Sequence, residues 1–285
     1  MYKKLVAGTD LSKTAKIATD RAAALAAKLG ADLFLVHAGS DPGPDLEELA
    51  SEYKAEVVVT PGPPAEALVR ETERLGGDLL VVGSVGMSGA KRFMLGNVPN
   101  KVSHHSGTDL LIVKTDPPKS TNDYNKILVG TDGSPTAMKA LDVACDFAAQ
   151  LGSGVLVVCA YEPPSERELE HMKSDPGDPV AQWSAGKLSK GTPEEFRWRI
   201  AGTSQAEDVL ERASEHAAKR GVEAEVRAVK GNAAEVLISV AEEDGVDAIV
   251  VGNVGMTGTK RLMLGNVPNR ISHHSPTDVL IIRTS

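Results

Sequence analysis

Two stretches of the chain are copies of each other: residues 83–113 read GSVGMSGAKRFMLGNVPNKVSHHSGTDLLIV, and residues 252–282 read GNVGMTGTKRLMLGNVPNRISHHSPTDVLII. They are identical at 22 of 31 positions, and most of the differences are conservative, such as Lys for Arg or Val for Ile. The segments KKLVAGTDLSKTA at 3–15 and NKILVGTDGSPTA at 125–137 also match. The chain therefore consists of two tandem copies of one unit.

The two copies differ in length. Their early segments are offset by 122 residues and their late segments by 169, so the second copy carries about 47 additional residues. The stretch TDPPKSTNDYN between the copies is typical of a linker because of its Pro, Ser and Asn content. We predict a first domain at 1–116, a linker at 117–124, and a second domain at 125–285 with an insert at about 163–204, which we expect to be a partly helical excursion or flap.

Short apolar runs alternate with helical patterns in each copy. In the first copy, LVAG at 5–8, DLFLVHA at 32–38, EVVVT at 56–60, DLLVVG at 78–83 and DLLIVK at 109–114 are the expected strands. Ser12 is the expected N-cap of the first helix, and in the second copy we expect a full helix at about 205–220 before the third strand. Strands that are apolar along their whole length indicate a parallel sheet with helices on both faces. The predicted fold class is α/β, with five strands per domain in the flavodoxin-like order 3-2-1-4-5.

A glycine-rich loop follows the fourth strand in each copy, with the spacing G-x2-G-x9-G and then Asn. In this strand order the crevice at the carboxyl ends lies between strands 1 and 4, where Asp10 and Gly83 end their strands. Glycines expose backbone N–H groups that can surround phosphate, and the helix that begins near Asn97 presents its positive end to an anion. Asn97 is expected to cap that helix or to donate its own amide, and Lys91 and Arg92 are available to neutralise charge.

This loop also has a purely structural interpretation. Glycines are common in loops between strands and helices, and a duplication preserves their spacing whether or not it serves a ligand. The convergence of each loop with an aspartate, Asp10 or Asp132, is the stronger reason to favour a nucleotide site.

With these motifs the chain resembles a universal stress protein of the tandem type, in the nucleotide-binding branch of that family, and the resemblance covers nearly all residues except the insert. It implies a HUP-type domain in each half that binds one ATP, ADP or AMP, with Mg²⁺ carried by the nucleotide. In the first half the implied site residues are Gly8, Thr9 and Asp10 near the adenine and ribose, Ala38 at the adenine edge, Gly83 and Gly86 around the ribose or phosphates, and Gly96, Asn97 and Val98 at the phosphate tail. In the second half they are Gly130, Thr131, Asp132, Ala160, Gly252, Gly255, Gly265, Asn266 and Val267.

The resemblance also implies that the two fifth strands pair antiparallel, which joins the domains into a pseudo-dimer. We expect residues 110–113 to face residues 279–282. The first site is expected to be the more open, because the connection after its second strand is short, whereas the insert is placed to cover the second site. Whether whole chains form a homodimer, and which protein partner they contact, stays open.

Several other functional classes are disfavoured. The formal charge of −8 argues against a nucleic-acid surface, and no apolar run has the roughly 20 residues of a membrane helix. The adjacent His104 and His105, like His273 and His274, diverge on a helix and are poor chelators of one ion, so no metal site is expected. Cys145 and Cys159 are expected to be buried and reduced.

We therefore expect a cytoplasmic protein that binds adenine nucleotide in a regulatory or stress-response role and is not an enzyme. A slow ATPase or nucleotidyl-transfer enzyme and a nucleotide-free interaction scaffold are the alternatives.

Overall fold

Ten strands form one continuous sheet in the computed structural model, which describes residues 2–85, 95–115, 121–162, 194–254 and 264–284. The strands are β1 (Lys4–Gly8), β2 (Asp32–Ala38), β3 (Glu56–Thr60), β4 (Leu79–Gly83), β5 (Asp109–Val113), β6 (Lys126–Gly130), β7 (Gly154–Tyr161), β8 (Ala224–Lys230), β9 (Ala248–Gly252) and β10 (Asp278–Ile282). The helices are α1 (Lys13–Leu29), α2 (Pro44–Tyr53), α3 (Pro64–Leu75), α4 (Asn97–His105), α5 (Pro135–Leu151), α6 (Glu194–Lys219), α7 (Ala233–Glu243) and α8 (Asn266–His274).

The strand order is β3-β2-β1-β4-β5-β10-β9-β6-β7-β8. All pairs within each half are parallel, so both halves have the predicted order 3-2-1-4-5. At the centre, β5 and β10 pair antiparallel, with Val279 opposite Ile112 and Leu280 opposite Leu111. The predicted joining of the two domains is thereby confirmed, and the strands that would otherwise be open edges protect each other from intermolecular pairing.

Helices cover both faces of the sheet because alternate strand residues point to opposite sides. On one face, Leu5 and Leu111 pack in a core that includes Leu25 of α1 and Phe147 of α5. On the other face, residues such as Val6 pack in a core with α3, α4, α7 and α8. Each fully buried leucine contributes about 1.5–3 kcal/mol relative to an exposed one. Burial on both faces explains why the strands show no alternation of apolar and polar residues.

The helix ends follow the local sequence, with one correction. The Ser12 side chain accepts a hydrogen bond from the Ala15 N–H, which confirms it as the N-cap of α1. Helix α6 begins at Glu194, not near residue 205, so the end of the predicted insert is helical. The acidic pair EE at 194–195 favours a helix start, and Gly202 within the helix costs only about 1 kcal/mol.

No helix in the described ranges combines the length and the apolar character needed to cross a membrane.

Candidate functional site

The carboxyl ends of β1 and β4 lie side by side, as predicted. Ala7 of β1 is opposite Val81 of β4, which ends at Gly83. A Cβ atom on Gly83 would lie 3.5 Å from the carbonyl oxygen of Thr14, in the first turn of α1. In the second half, a Cβ on Gly252 would lie 3.4 Å from the carbonyl oxygen of Thr136. Each glycine loop therefore begins in contact with the start of the helix that follows the first strand of its half.

Three hydrogen bonds donated by backbone N–H groups hold the loop between β1 and α1. The Thr9 N–H donates to the Val36 carbonyl at 3.0 Å, and the Thr9 hydroxyl oxygen accepts from the Leu11 N–H at 3.1 Å. Asp10 Oδ1 accepts from the Ser12 N–H at 3.0 Å. One oxygen of the Asp10 carboxylate is thus used to fix the loop, and the side chain has a defined position at the edge of the crevice.

The loop between β6 and α5 repeats this arrangement. The Thr131 N–H donates to the Val158 carbonyl at 3.0 Å, and Asp132 Oδ1 accepts from the Ser134 N–H at 3.0 Å. The Gly133 N–H donates to the Thr131 hydroxyl oxygen at 3.2 Å. The two predicted aspartates therefore occupy equivalent positions in the two halves.

The glycine-rich loop of the first half is closed at its base. The Ser84 N–H donates to the Val113 carbonyl, and the Gly96 N–H donates to the Ser84 carbonyl, both at 2.8 Å. A Cβ on Gly96 would lie only 3.3 Å from the Ser84 oxygen, so the close approach of the two loop ends favours glycine there. In the second half, the Gly265 N–H donates to the Asn253 carbonyl at 2.8 Å.

Between these closed ends, part of each predicted motif lies outside the described residues. This part comprises residues 86–94 and 255–263, which include Gly86, Gly255, Lys91 and Arg92.

Helices α4 and α8 begin with a glycine cap, which corrects one expectation. Gly96 is the N-cap of α4, so Asn97 is the first helical residue and does not cap the helix. The reason is that Gly96 has the extended backbone of a cap and Asn97 is already helical. Among the residues that the structure describes, neither α4 nor α8, whose cap is Gly265, has a side-chain cap hydrogen bond.

A proline limits the number of available donors at these helix starts. Pro99 is the third residue of α4 and Pro268 is the third residue of α8, and proline has no N–H. The donors that each helix start presents are therefore those of its first two residues, Asn97 and Val98 in α4 and Asn266 and Val267 in α8.

The second strands supply a third wall, and here the halves differ. Ala38 is the last residue of β2, and His37 Nδ1 lies 3.0 Å from the Thr9 carbonyl oxygen. At the equivalent position, 122 residues later, the second half has Cys159, followed by Ala160. Burial raises the pKa of the Cys159 thiol, and the negative charge of Asp132 raises it further.

The second half also has a cleft beside its aspartate, with a volume of about 810 Å³. It lies between the loop around Asp132 and the α6 residues Asp208, Val209, Glu211 and Arg212. A Cβ on Gly133 would lie 2.6 Å from Val209 Cγ2, so α6 packs directly on this loop. The expectation that the insert covers the second site concerns residues 163–193, which lie outside the described part of the chain.

Sequence reasoning missed a polar contact behind each glycine loop. The Ser84 hydroxyl lies 3.3 Å from both the N–H and the hydroxyl of Thr115. In the second half, Asn253 Oδ1 accepts from the N–H and the hydroxyl of Thr284 at 3.0 and 2.9 Å. The signal available in the sequence was the threonine that ends both TDLLIVKT and TDVLIIRT.

The remaining residues singled out in the sequence are the two histidine pairs and the two cysteines. Both histidine pairs lie in the last turns of α4 and α8. Cys145 and Cys159 are buried free thiols, as predicted, and burial raises the pKa of Cys145 to about 11. Within the described ranges, no group of three or more His, Cys, Asp or Glu side chains is arranged to hold a metal ion.

Comparison with known proteins finds relatives along the chain. The model of the universal stress protein family matches residues 1–55, 45–114 and 123–283. Universal stress protein YxiE of Bacillus subtilis is 35% identical over 162 residues, which are 56% of this chain and 99% of that protein. The crystal structure of a universal stress protein from Archaeoglobus fulgidus covers 99% of this chain and 98% of its own, with a TM-score of 0.65 at 16% identity, and so supports the fold. A universal stress protein solved in complex with cAMP is 32% identical over 57% of this chain and 99% of its own, with a TM-score of 0.40.

Proposed function

This chain belongs to the universal stress protein family, and from that premise we propose that each half binds one adenine nucleotide, with ATP as the first candidate, in a regulatory role. The observation that carries the proposal is the crevice at the carboxyl ends of adjacent parallel strands. In both halves, an aspartate held by a backbone N–H follows the first strand, and a glycine loop and a helix start without a side-chain cap follow the adjacent fourth strand. Such crevices are the usual ligand sites of open α/β sheets.

The phosphate groups would lie against the starts of α4 and α8. The first N–H groups of a helix have no partner within the helix, and the helix dipole adds a partial positive charge there. Because a proline follows, the donors proposed are the N–H groups of Asn97 and Val98 in one half and of Asn266 and Val267 in the other. The glycines that precede these helices would let the phosphate oxygens approach the backbone closely.

The rest of the nucleotide would lie toward β1 and β2. The second oxygen of the Asp10 carboxylate, Oδ2, is available to accept a hydrogen bond from a ribose hydroxyl. Hydrogen-bonding direction alternates along a parallel strand. The Val36 carbonyl accepts from Thr9 on the β1 side, and the N–H of Gly39 donates to Thr60 on the β3 side. Ala38, two residues after Val36, therefore directs its N–H and carbonyl to the β1 side, just beyond the end of β1, where the crevice lies. A backbone donor and acceptor pair there suits the adenine edge.

The same alternation applies to Ala160 in the second half, because Thr131 bonds to Val158 and the N–H of Gly231 bonds to Tyr161. In both halves the aspartate would thus lie at the nucleoside end, and N–H donors at the phosphate end. N–H donors hold phosphate but do not activate a water molecule, so binding without efficient hydrolysis is the expected behaviour. Mg²⁺ would enter as part of the nucleotide complex.

The proposed division into domains follows the elements. We propose boundaries at 1–116 and 125–285, supported by the end of β5 at Val113 and the start of β6 at Lys126. Residues 117–124 would then connect the two halves.

The test begins with mass spectrometry of the purified chain after denaturation, to identify any adenine nucleotide bound to it. Calorimetric titrations with ATP, ADP, AMP and cAMP, with and without Mg²⁺, then measure affinity and stoichiometry. We expect two ATP molecules per chain, and one in either Asp10→Ala or Asp132→Ala. Asp45→Ala, which removes an exposed carboxylate of α2, is the matched control and should leave two.

The alternatives give different results. Rapid ATP turnover that each aspartate variant reduces, and that the double variant Asp10→Ala/Asp132→Ala abolishes, would make the protein an enzyme. Absence of both bound and titratable nucleotide would refute the proposal and favour an interaction scaffold.

A further inference from the structure

Two cationic side chains cross from one half of the chain to the other. Arg283, just after β10, donates from Nη2 to the Ser103 carbonyl oxygen of α4 at 2.6 Å. Lys114, just after β5, donates from Nζ to the Ser272 carbonyl oxygen of α8 at 3.2 Å. The two contacts are equivalent under the pseudo-two-fold relation between the halves, and each joins a fifth strand to a helix of the opposite half.

These contacts satisfy carbonyl groups that the helices themselves leave unpaired. The last four carbonyl groups of a helix have no partner within it, and Ser103 and Ser272 lie in the last turns of α4 and α8. A cation at this end also interacts favourably with the helix dipole. Arg283 and Lys114 therefore hold the carboxyl ends of the same two helices whose amino ends are the proposed phosphate sites.

The residue after each cation contacts the glycine loop of its own half. Thr115 bonds to Ser84, whose carbonyl accepts the N–H of Gly96, the cap of α4. Thr284 bonds to Asn253, whose carbonyl accepts the N–H of Gly265, the cap of α8. Each pair of consecutive residues thus contacts one glycine loop and the helix of the other half.

The backbone at the same positions anchors the pairing of β5 with β10. The Lys114 N–H donates to Asp278 Oδ1 at 2.9 Å, and the Arg283 N–H donates to Asp109 Oδ1 at 2.7 Å. Because these bonds come from the backbone, truncation of either side chain leaves them in place. The contribution of the crossing cations can therefore be measured separately from the strand pairing.

We propose that each half of the chain positions the phosphate site of the other: Arg283 of the second half is a positioning residue for the first site, and Lys114 of the first half is a positioning residue for the second. This inference rests on the proposed nucleotide binding. Neither residue touches the ligand. Loss of either side chain leaves a helix carbonyl unpaired, loosens that helix, and weakens the hold of its amino end on phosphate in the opposite half.

The test is a crossed experiment on the full chain with ATP as the probe. Asp132→Ala leaves only the first site, and Asp10→Ala leaves only the second. Arg283→Ala is expected to weaken ATP binding about five-fold in the Asp132→Ala chain and to change it less than about two-fold in the Asp10→Ala chain. Lys114→Ala is expected to give the opposite pattern.

Matched controls lie on the same helices. Lys101 of α4 is exposed, and Arg270 of α8 bonds to Glu235 of its own half at 2.7 Å. Alanine at either position removes one positive charge without breaking a contact between halves, so ATP affinity should stay within about two-fold. Arg283→Lys and Lys114→Arg keep a donor at each place and should restore most of the affinity.

The outcomes separate this inference from the proposed function. Suppose that both single-site chains bind ATP. If removal of each cation then weakens ATP binding in its own half, in both halves equally, or in neither half, the positioning proposal is wrong and the proposed nucleotide sites are unaffected. If neither single-site chain nor the unaltered chain binds ATP, the proposed function fails and this inference fails with it. Melting temperatures measured without nucleotide complete the experiment, because a merely structural role would lower stability without the crossed pattern of affinities.

Discussion

The buried pair of Arg21 and Asp278 allows a quantitative test of the energetics at the centre of the molecule. The Arg21 side chain is 1% exposed, and its Nε lies 3.6 Å from Asp278 Oδ2, too far for a hydrogen bond. Its Nε and Nη1 have no hydrogen-bond partner among the described residues. Asp278 accepts from the Tyr124 hydroxyl at 2.7 Å and from the Lys114 N–H at 2.9 Å. The positive charge of Arg21 is therefore compensated by Asp278 alone among these contacts, whereas Asp278 also accepts two hydrogen bonds from other residues.

We predict that Asp278→Asn lowers the free energy of unfolding by about 3–5 kcal/mol, because it leaves the Arg21 guanidinium as an uncompensated buried charge. The combined replacement with Arg21→Met should be within about 1–2 kcal/mol of the unaltered chain. Methionine removes two unsatisfied donors, each costing about 1–3 kcal/mol, and it gives up the stacking of Arg21 on the Tyr124 ring at 5.3 Å, worth about 0.5–2 kcal/mol.

The molecule contains its own control. Asp109 is the equivalent of Asp278 and accepts from the Tyr2 hydroxyl at 2.8 Å and from the Arg283 N–H at 2.7 Å. The residue equivalent to Arg21, 122 positions later, is Val143, so no second arginine occupies that position. Burial raises the pKa of Asp109, which means that its charge is already unfavourable there. The cation near Asp109 is Arg283, which keeps its hydrogen bond to the Ser103 carbonyl when Asp109 is neutralised. Asp109→Asn should therefore lower the free energy of unfolding by about 1–2 kcal/mol, less than Asp278→Asn does.

Urea unfolding followed by circular dichroism at neutral pH measures all four chains. The reasoning would be refuted by an Asp109→Asn variant as unstable as Asp278→Asn, or by a double variant no more stable than Asp278→Asn alone.

Three further predictions concern titration and backbone strain. Burial lowers the pKa of Lys114 from 10.5 to about 8, so the unfolded chain binds this proton more tightly than the folded chain does. The free energy of unfolding should therefore rise between about pH 8 and pH 10.5, by about 3 kcal/mol in total. Urea titrations up to about pH 9.5 should show this slope, and Lys114→Met should remove it. The pKa values of His104 and His273 are lowered by burial and nearby positive charge, so stability should fall as pH drops below about 6.5, less steeply in the two glutamine variants. Leu11 has φ 60°, so Leu11→Gly relieves about 1 kcal/mol of backbone strain, which offsets the packing that is lost. The equivalent Gly133 has φ 75°, and a Cβ there would lie 2.6 Å from a side chain of α6, so Gly133→Leu should lower the free energy of unfolding by about 2 kcal/mol or more. Equal melting temperatures of the two variants would contradict this difference.

Most of the fold could be predicted because it depends on local patterns that occur twice. Apolar runs of four to seven residues, the cap at Ser12 and the repeated glycine loop each indicate an element without reference to the rest of the chain. The strand order was adopted as the flavodoxin-like one for alternating strands and helices, and the pairing of β5 with β10 required the family resemblance. The start of α6 was wrong because residues 194–204 have no counterpart in the first half against which the pattern could be checked.

The site was less predictable because its contacts depend on packing. The spacing of Asp10, Gly83 and Gly96 indicated that two loops meet. It did not distinguish the cap from the first helical residue at Gly96 and Asn97, because both residue types are common at caps. The contact of Arg283 with a backbone carbonyl 180 residues away leaves no signal in side-chain chemistry, since any carbonyl accepts equally well.

Tandem duplication explains why the two halves can differ at their shared boundary. In a dimer of identical units, an arginine at the position of Arg21 would be present twice, on two helices that contact each other as α1 and α5 do here. Two buried guanidinium groups close together would repel each other, even with an equivalent carboxylate beside each. In one chain, Arg21 is retained beside Asp278 while its counterpart is the apolar Val143. The joined chain therefore permits a buried ion pair that a symmetric dimer would disfavour, and it allows the two crevices to evolve toward unequal affinities.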